Sequence, residues 1–203
     1  MQINPLADLT ALRQRTSSKW RRYAPDVLPM HVAEMDYDIA DNIKDLLLSK
    51  ISNSDIGYTG PVPEAIQGFV DFAAKRWGWT VDPKQVRLST DVGVSVVEIM
   101  RALGKPGDKV VVNSPVYSSF FGWIDEVGLE VHDVPLITND KQWDLDLDGL
   151  EAAFSSGAKF YLLCHPHNPL GKLFTREELT KIAELAKKYD VFVISDEIHA
   201  PLT

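Results

Sequence analysis

Residues 158–199 read "AKFYLLCHPHNPLGKLFTREELTKIAELAKKYDVFVISDEIH". The stretches 158–166 and Val191–Ile194 are short, largely apolar and without polar alternation. Between them, Thr175-Arg176-Glu177-Glu178 forms a capping box, in which the threonine hydroxyl and the glutamate carboxylate each satisfy an orphan N–H at a helix start. Leu179, Ile182, Ala183 and Ala186 then give that helix an apolar stripe. Strand, helix and strand in this style predict a parallel sheet covered on both faces.

The same alternation runs back toward the N-terminus. "VRLST" (86–90) reads as a strand, followed by a helix over 93–103 with Val96, Ile99, Met100 and Leu103 on one face. "KVVVNSP" (109–115) follows the breaker "KPGD", a helix starts near Ser118, and "LEVHDVPL" (129–136) is another strand. "LDGLEAAF" is a short helix, and Ile66, Phe69, Val70, Ala73 and Trp77 mark an amphipathic one. The first ~50 residues are less regular and read as an arm or part of a smaller domain.

At 203 residues, 45% of them hydrophobic, the chain can build a sizeable core. A net charge of −8 argues against a nucleic-acid partner, which needs a basic face. Cys164 is the only cysteine, so an internal disulfide is impossible and a reducing compartment is expected. The start "MQINPLADLT" carries neither the basic nor the apolar region of a secretory signal, and the apolar runs are strand-sized. These features point to a cytoplasmic protein without a membrane partner.

Open parallel sheets bind ligands at the carboxyl ends of their strands, and several polar clusters fall there. "STDVGVS" (89–95) leads into a helix whose N–H groups suit a phosphate, with Gly93 allowing close approach; the plainer reading is an ordinary N-cap loop. Tyr117 stands just beyond a strand, where it either stacks on a flat ring or packs. Cys164, His165 and His167 suggest a metal, but their spacing fits no common structural zinc pattern, and no metal is expected. Asn168, fixed by Pro169 and Gly171, suits one aimed hydrogen bond. Asp196, at a strand terminus, needs a partner: a structural cation, or a protonated ring nitrogen on a ligand.

Taken together, a phosphate-binding helix start, a stacking aromatic, an Asn-Pro turn and a strand-end Asp are what a pyridine-phosphate cofactor requires. The chain resembles the fold-type I pyridoxal 5′-phosphate (PLP) enzymes of the aspartate aminotransferase superfamily. It is more closely similar to the MalY/PatB-like branch of cystathionine β-lyases and C–S lyases. The resemblance rests on "KWRRYAPDVLPMHVAEMDYDIADNI" (19–43), "GYTGP" (57–61), "NSPVYSSFF" (113–121), "HPHNPLGKLFTREEL" and "ISDEIHAPL". It implies an α/β fold: a three-layer α/β/α large domain with a mostly parallel sheet. Residues 1–48 would be an N-terminal arm and part of a small domain, and 49–203 the N-terminal part of the PLP-binding large domain.

The resemblance also implies roles. Asp196 would pair with the pyridinium nitrogen and Tyr117 would stack on the ring. Asn168 would hydrogen-bond the phenolic oxygen. Gly93, Val94 and Ser95 would hold the phosphate, with Tyr58 contributed by the partner subunit of a homodimer with shared active sites. The substrate would be an amino acid, L-cystathionine or a related cysteine S-conjugate, and the setting amino-acid metabolism such as methionine biosynthesis. An aminotransferase, or a non-catalytic regulatory protein on the same fold, are the alternatives. His31 departs from the branch's usual Trp at that position, and His199 receives no role. The family's Schiff-base lysine falls after "SDEIH"; no lysine here takes its place, Lys172 included. The chain is therefore expected to be the N-terminal portion of a longer enzyme, inactive alone.

Overall fold

The computed structural model describes residues 8–138 and 142–203; residues 1–7, where the expected arm begins, and 139–141 lie outside the described residues. The chain divides into two compact units between Phe69 and Val70.

The first unit holds three helices, α1 (Leu9–Arg13), α2 (Ser18–Arg21) and α3 (Asp41–Ser52), and the start of α4 (Pro63–Trp77). Asp8 caps α1 by accepting the Ala11 N–H at 2.9 Å. Side chains at 15, 17 and 19 stitch this region to an acidic segment. Lys19, buried, donates to the Glu34 carbonyl at 2.7 Å and to Asp36 at 2.9 Å. Ser17 donates to Glu34 at 2.7 Å, and Arg15 pairs with Asp38 at 3.3 Å. Helix α3 buries no residue at all. Its apolar positions 43, 46, 47, 48 and 51 include three in succession and cannot share one helical face.

The second unit is a covered parallel sheet. After the rest of α4 and a 3₁₀ turn at Pro83–Gln85 come α5 (Val92–Leu103), β1 (Lys109–Val112), α6 (Ser119–Glu126) and β2 (Glu130–Asp133). A two-stranded antiparallel ribbon follows, β3 (Ile137–Thr138) and β4 (Trp143–Asp144). Then come α7 (Leu147–Ser155), β5 (Phe160–Cys164), α8 (Arg176–Tyr189), β6 (Phe192–Asp196) and a last 3₁₀ turn, Ala200–Leu202. The four main strands run parallel in the order β2-β1-β5-β6. No helix of the described residues is long and apolar enough to cross a membrane.

Alternate residues of the central strands feed two cores, as the pleat requires. Val111, Tyr161 and Leu163 pack with Leu150, Ala153 and Phe154 of α7 and Ile182 and Ala186 of α8. Val110, Val112, Phe160, Leu162 and Cys164 pack with Val96 and Met100 of α5 and Phe120 and Ile124 of α6. This is the three-layer α/β/α arrangement expected. The capping box also forms: Thr175 Oγ1 accepts the Glu178 N–H at 3.2 Å, and Glu178 accepts the Thr175 N–H at 2.6 Å.

One expected strand does not form. "VRLST" follows the 3₁₀ turn as irregular chain, with Leu88 57% exposed. A strand exists only through a hydrogen-bonded neighbour, and none of the described strands lies beside these residues. Arg87 instead donates back to the carbonyls of Lys84 and Val86, at 2.6 and 2.9 Å.

Candidate functional site

The parallel order sets the carboxyl ends of all four strands on one edge. In the β5–β6 register Cys164 lies opposite Asp196, and the His165 N–H donates to the Asp196 carbonyl at 2.9 Å. The Asn168 N–H reaches Cys164 Sγ at 3.3 Å. Cys164 therefore brings Asn168 and Asp196, 28 positions apart in sequence, to one place.

Asp196 is 7% exposed, and its carboxylate accepts one hydrogen bond, from the Ile198 N–H at 3.1 Å. Among the described residues no cation pairs with it. A buried carboxylate so sparsely served pays a desolvation cost that a cationic N–H would offset. Burial is the main reason the neighbouring Cys164 thiol is pushed up to about 11, with the charge of Asp196 adding to it. That thiol stays protonated and chemically quiet.

The turn bearing Asn168 is closed by its own main chain. The His167 N–H donates to the Lys172 carbonyl at 2.9 Å, and the Gly171 N–H to the His167 carbonyl at 2.7 Å. Gly171 sits at φ 65°, the left-handed region that favours glycine. Lys172 is no free cation: it pairs with Glu178 at 3.1 Å and Asp144 at 3.4 Å, tying the turn to the start of α8. The Asn168 amide group itself has no hydrogen-bond partner among the described residues, so a donor and an acceptor stand ready in a turn that is otherwise fixed.

Tyr117, partly exposed, stands beyond β1 and rests edge-on against Phe120 and Trp123, with ring centroids 6.0 and 5.8 Å away. Trp123 also explains Gly93. A Cβ at residue 93 would lie 2.8 Å from the indole, so the bare Cα makes room for Trp123. At the start of α5, Asp91 caps the Val94 N–H at 2.8 Å, and the main-chain N–H and hydroxyl of Ser95 both turn to the Asp91 carbonyl, at 3.3 and 3.2 Å. Of the three expected phosphate donors, Gly93 alone has an N–H without a partner among the described residues. Tyr58 belongs to the first unit and is fully exposed, and His31 there meets Tyr23 edge-on at 4.8 Å. His199 opens the last 3₁₀ turn.

Some residues escaped the motif reading. Tyr161, wholly buried, donates to Asn113 Oδ1 at 2.5 Å, and the Asn113 amide donates to the Val134 carbonyl at 2.8 Å. Burial pushes the Tyr161 phenol well up, so it remains a donor. His167 is 3% exposed, and neither ring nitrogen has a hydrogen-bond partner among the described residues. The described residues hold no grouping of three or more His, Cys, Asp or Glu able to hold a metal ion.

The amino-acid pattern of residues 25–203 matches the family described as aminotransferase class I and II. A Mycobacterium tuberculosis protein named "Putative cystathionine beta-lyase" is 42% identical over 98% of the chain and 51% of its own length. Cystathionine beta-lyase PatB of Bacillus subtilis is 34% identical over 87% of the chain and 46% of its own length. The crystal structure of cystalysin from Treponema denticola, which contains a pyridoxal 5′-phosphate cofactor, superposes with a TM-score of 0.87 at 27% identity, covering 97% of this chain and 51% of that one. The chain thus spans about half the length of the curated relatives it matches.

Proposed function

The chain belongs to the class I and II aminotransferase family, on its MalY/PatB-like cystathionine β-lyase branch, and from that premise we propose that it is the N-terminal part of a PLP-dependent C–S β-lyase. The longer protein would split L-cystathionine or a related cysteine S-conjugate with water into a thiol, pyruvate and ammonia. The observation that carries this reading is Asp196, a buried carboxylate that has one hydrogen bond and no cation among the described residues, close to an Asn168 amide that has no partner among them.

These residues fit the cofactor's polar atoms. Asp196 would hold the proton on the pyridine nitrogen, gaining the cationic N–H its burial calls for. The Asn168 amide would donate to the phenolic oxygen, from a turn already held by Lys172 and Gly171. The Tyr117 ring would cover one face, steadied by Trp123. Gly93 would give its N–H to the phosphate at the positive end of α5. Val94 and Ser95 would join it by releasing their bonds to Asp91. Tyr58 would come from the partner subunit. Bound there, PLP supplies an electron sink for the electrons left at the substrate's Cα. Lys172, engaged by Glu178 and Asp144, is not assigned its covalent attachment.

The test is product analysis with the longer protein, PLP and L-cystathionine. Thiol and pyruvate formation, lost with Asp196→Asn, is the expected result. Amino transfer that needs a keto acid and releases no thiol would replace the lyase by an aminotransferase.

A further inference from the structure

Tyr117 sits on a short bridge, residues 113–118, between β1 and α6. The far end of the bridge is held by α6: the Phe120 N–H donates to the Tyr117 carbonyl at 3.1 Å, and the Phe120 ring is wholly buried. The near end is held by the chain around β2. The Val134 N–H donates to the Val112 carbonyl at 2.9 Å, and the Leu136 N–H to the Ser114 carbonyl at 2.8 Å. Half of the β1–β2 ladder therefore runs on past its last paired residues, Val112 and Asp133.

The other half does not. A continued parallel ladder would give the Ser114 N–H to the Val134 carbonyl. That carbonyl accepts instead from the Asn113 side-chain amide at 2.8 Å, and Asn113 is pinned in turn by the Tyr161 hydroxyl at 2.5 Å. Ser114 turns to the Asp133 carboxylate, giving its N–H to Oδ1 at 3.0 Å and its hydroxyl to Oδ2 at 2.6 Å. Two bonds from one residue to both oxygens of one carboxylate fix a direction as well as a distance, and the charged acceptor strengthens each. Asp133 is exposed, so burial does not force these bonds on it. Their effect is on Ser114, where the chain leaves the sheet on a fixed heading. Three residues on, edge-on contacts with Phe120 and Trp123 steady the Tyr117 ring without fixing the main chain that carries it.

We propose that Asp133 is a positioning residue for Tyr117: its carboxylate, taking both the N–H and the hydroxyl of Ser114, sets the heading on which the chain leaves β1 and so the place of the Tyr117 ring. The proposal deepens the reading of Tyr117 as the side chain that covers the cofactor ring, and rests on it. It assigns Asp133 no contact with substrate or cofactor.

The test compares Asp133→Ala with Asp133→Asn in the 203-residue chain. Alanine removes both acceptors: hydrogen exchange at the Ser114 amide speeds about tenfold, and the nuclear Overhauser effects between the Tyr117 and Trp123 rings weaken about twofold. Asparagine can still accept the Ser114 N–H and donate to its hydroxyl, so it restores exchange to within about threefold of the original, and the ring contacts with it. Unchanged exchange or unchanged ring contacts in Asp133→Ala, or no rescue by Asp133→Asn, overturns the proposal. A double-mutant cycle in the longer protein reads the consequence for PLP. Tyr117→Ala weakens binding about tenfold, Asp133→Ala about fivefold, and the two together about tenfold, no more than Tyr117→Ala alone. Losses that multiply to about fiftyfold mean that Asp133 acts by another route, and they overturn the proposal as well. PLP affinity unchanged by Tyr117→Ala counts against the cofactor reading instead, while the exchange and ring contacts still decide the clamp.

Discussion

Helix α3 of the first unit and the β1–β5 pair of the second are both rich in aliphatic residues, and their fates are opposite. Val110, Val111, Val112, Phe160 and Leu162 are almost wholly buried between helices on both faces. Ile43, Leu46, Leu47, Leu48 and Ile51 all stay more than half exposed. The difference lies in pattern as much as composition. A strand whose two faces are both apolar suits a doubly covered sheet. A helix with apolar residues around its circumference needs cover on several sides, and no described element of its own compact unit provides it.

The sharpest test of the contrast is Phe160→Ala. Phe160 has no exposure and belongs to the core shared by α5, α6 and the sheet. Removing its ring should cost about 3–5 kcal/mol in urea unfolding. A cost near 1 kcal/mol would mean that the second unit's core is loosely packed and no different in kind from the first unit.

A smaller effect probes how the same core reaches the proposed site. Gly93→Ala places a methyl group 2.8 Å from Trp123. Alanine gains roughly 1 kcal/mol in helix propensity over glycine, yet overpacking a fixed indole costs about 1–3 kcal/mol. Net destabilisation of about 1 kcal/mol is expected, with a change in Trp123 fluorescence as the local report. A stabilised variant would show that Trp123 moves freely and that Gly93 serves something other than packing.

How much of this was legible in sequence follows the same division. The helices from 92 onward and the four strands of the parallel sheet were legible because apolar runs and helical stripes alternate there, and α8 announces its start through Thr175 and Glu178, whereas the two-residue strands β3 and β4 were missed because they are too short to carry a pattern. "VRLST" looked like its neighbours, because strand-like composition cannot reveal a missing hydrogen-bond partner. Helix α3 was passed over because Leu46, Leu47 and Leu48 in succession obscure any 3.6-residue period. Asn168 and Asp196 could be singled out because a turn and a strand end are local features. Trp123 against Gly93, and Tyr161 on Asn113 across 48 positions, could not be, because both depend on packing and strand register.

The smallest expected effect is the one that can break the comparison outright. Leu46 is 60% exposed on α3. Leu46→Gln retains nearly the same helix propensity, so it isolates the cost of losing apolar contact. If the helix face is solvated in solution, the urea midpoint should change by less than about 0.5 kcal/mol in equivalent stability. It should also be independent of protein concentration. A cost above about 1.5 kcal/mol that grows with protein concentration would mean that a second copy covers α3, since mass action stabilises a folded state that associates. The two regions would then differ only in where their cover comes from: the second unit from its own helices, α3 from another chain.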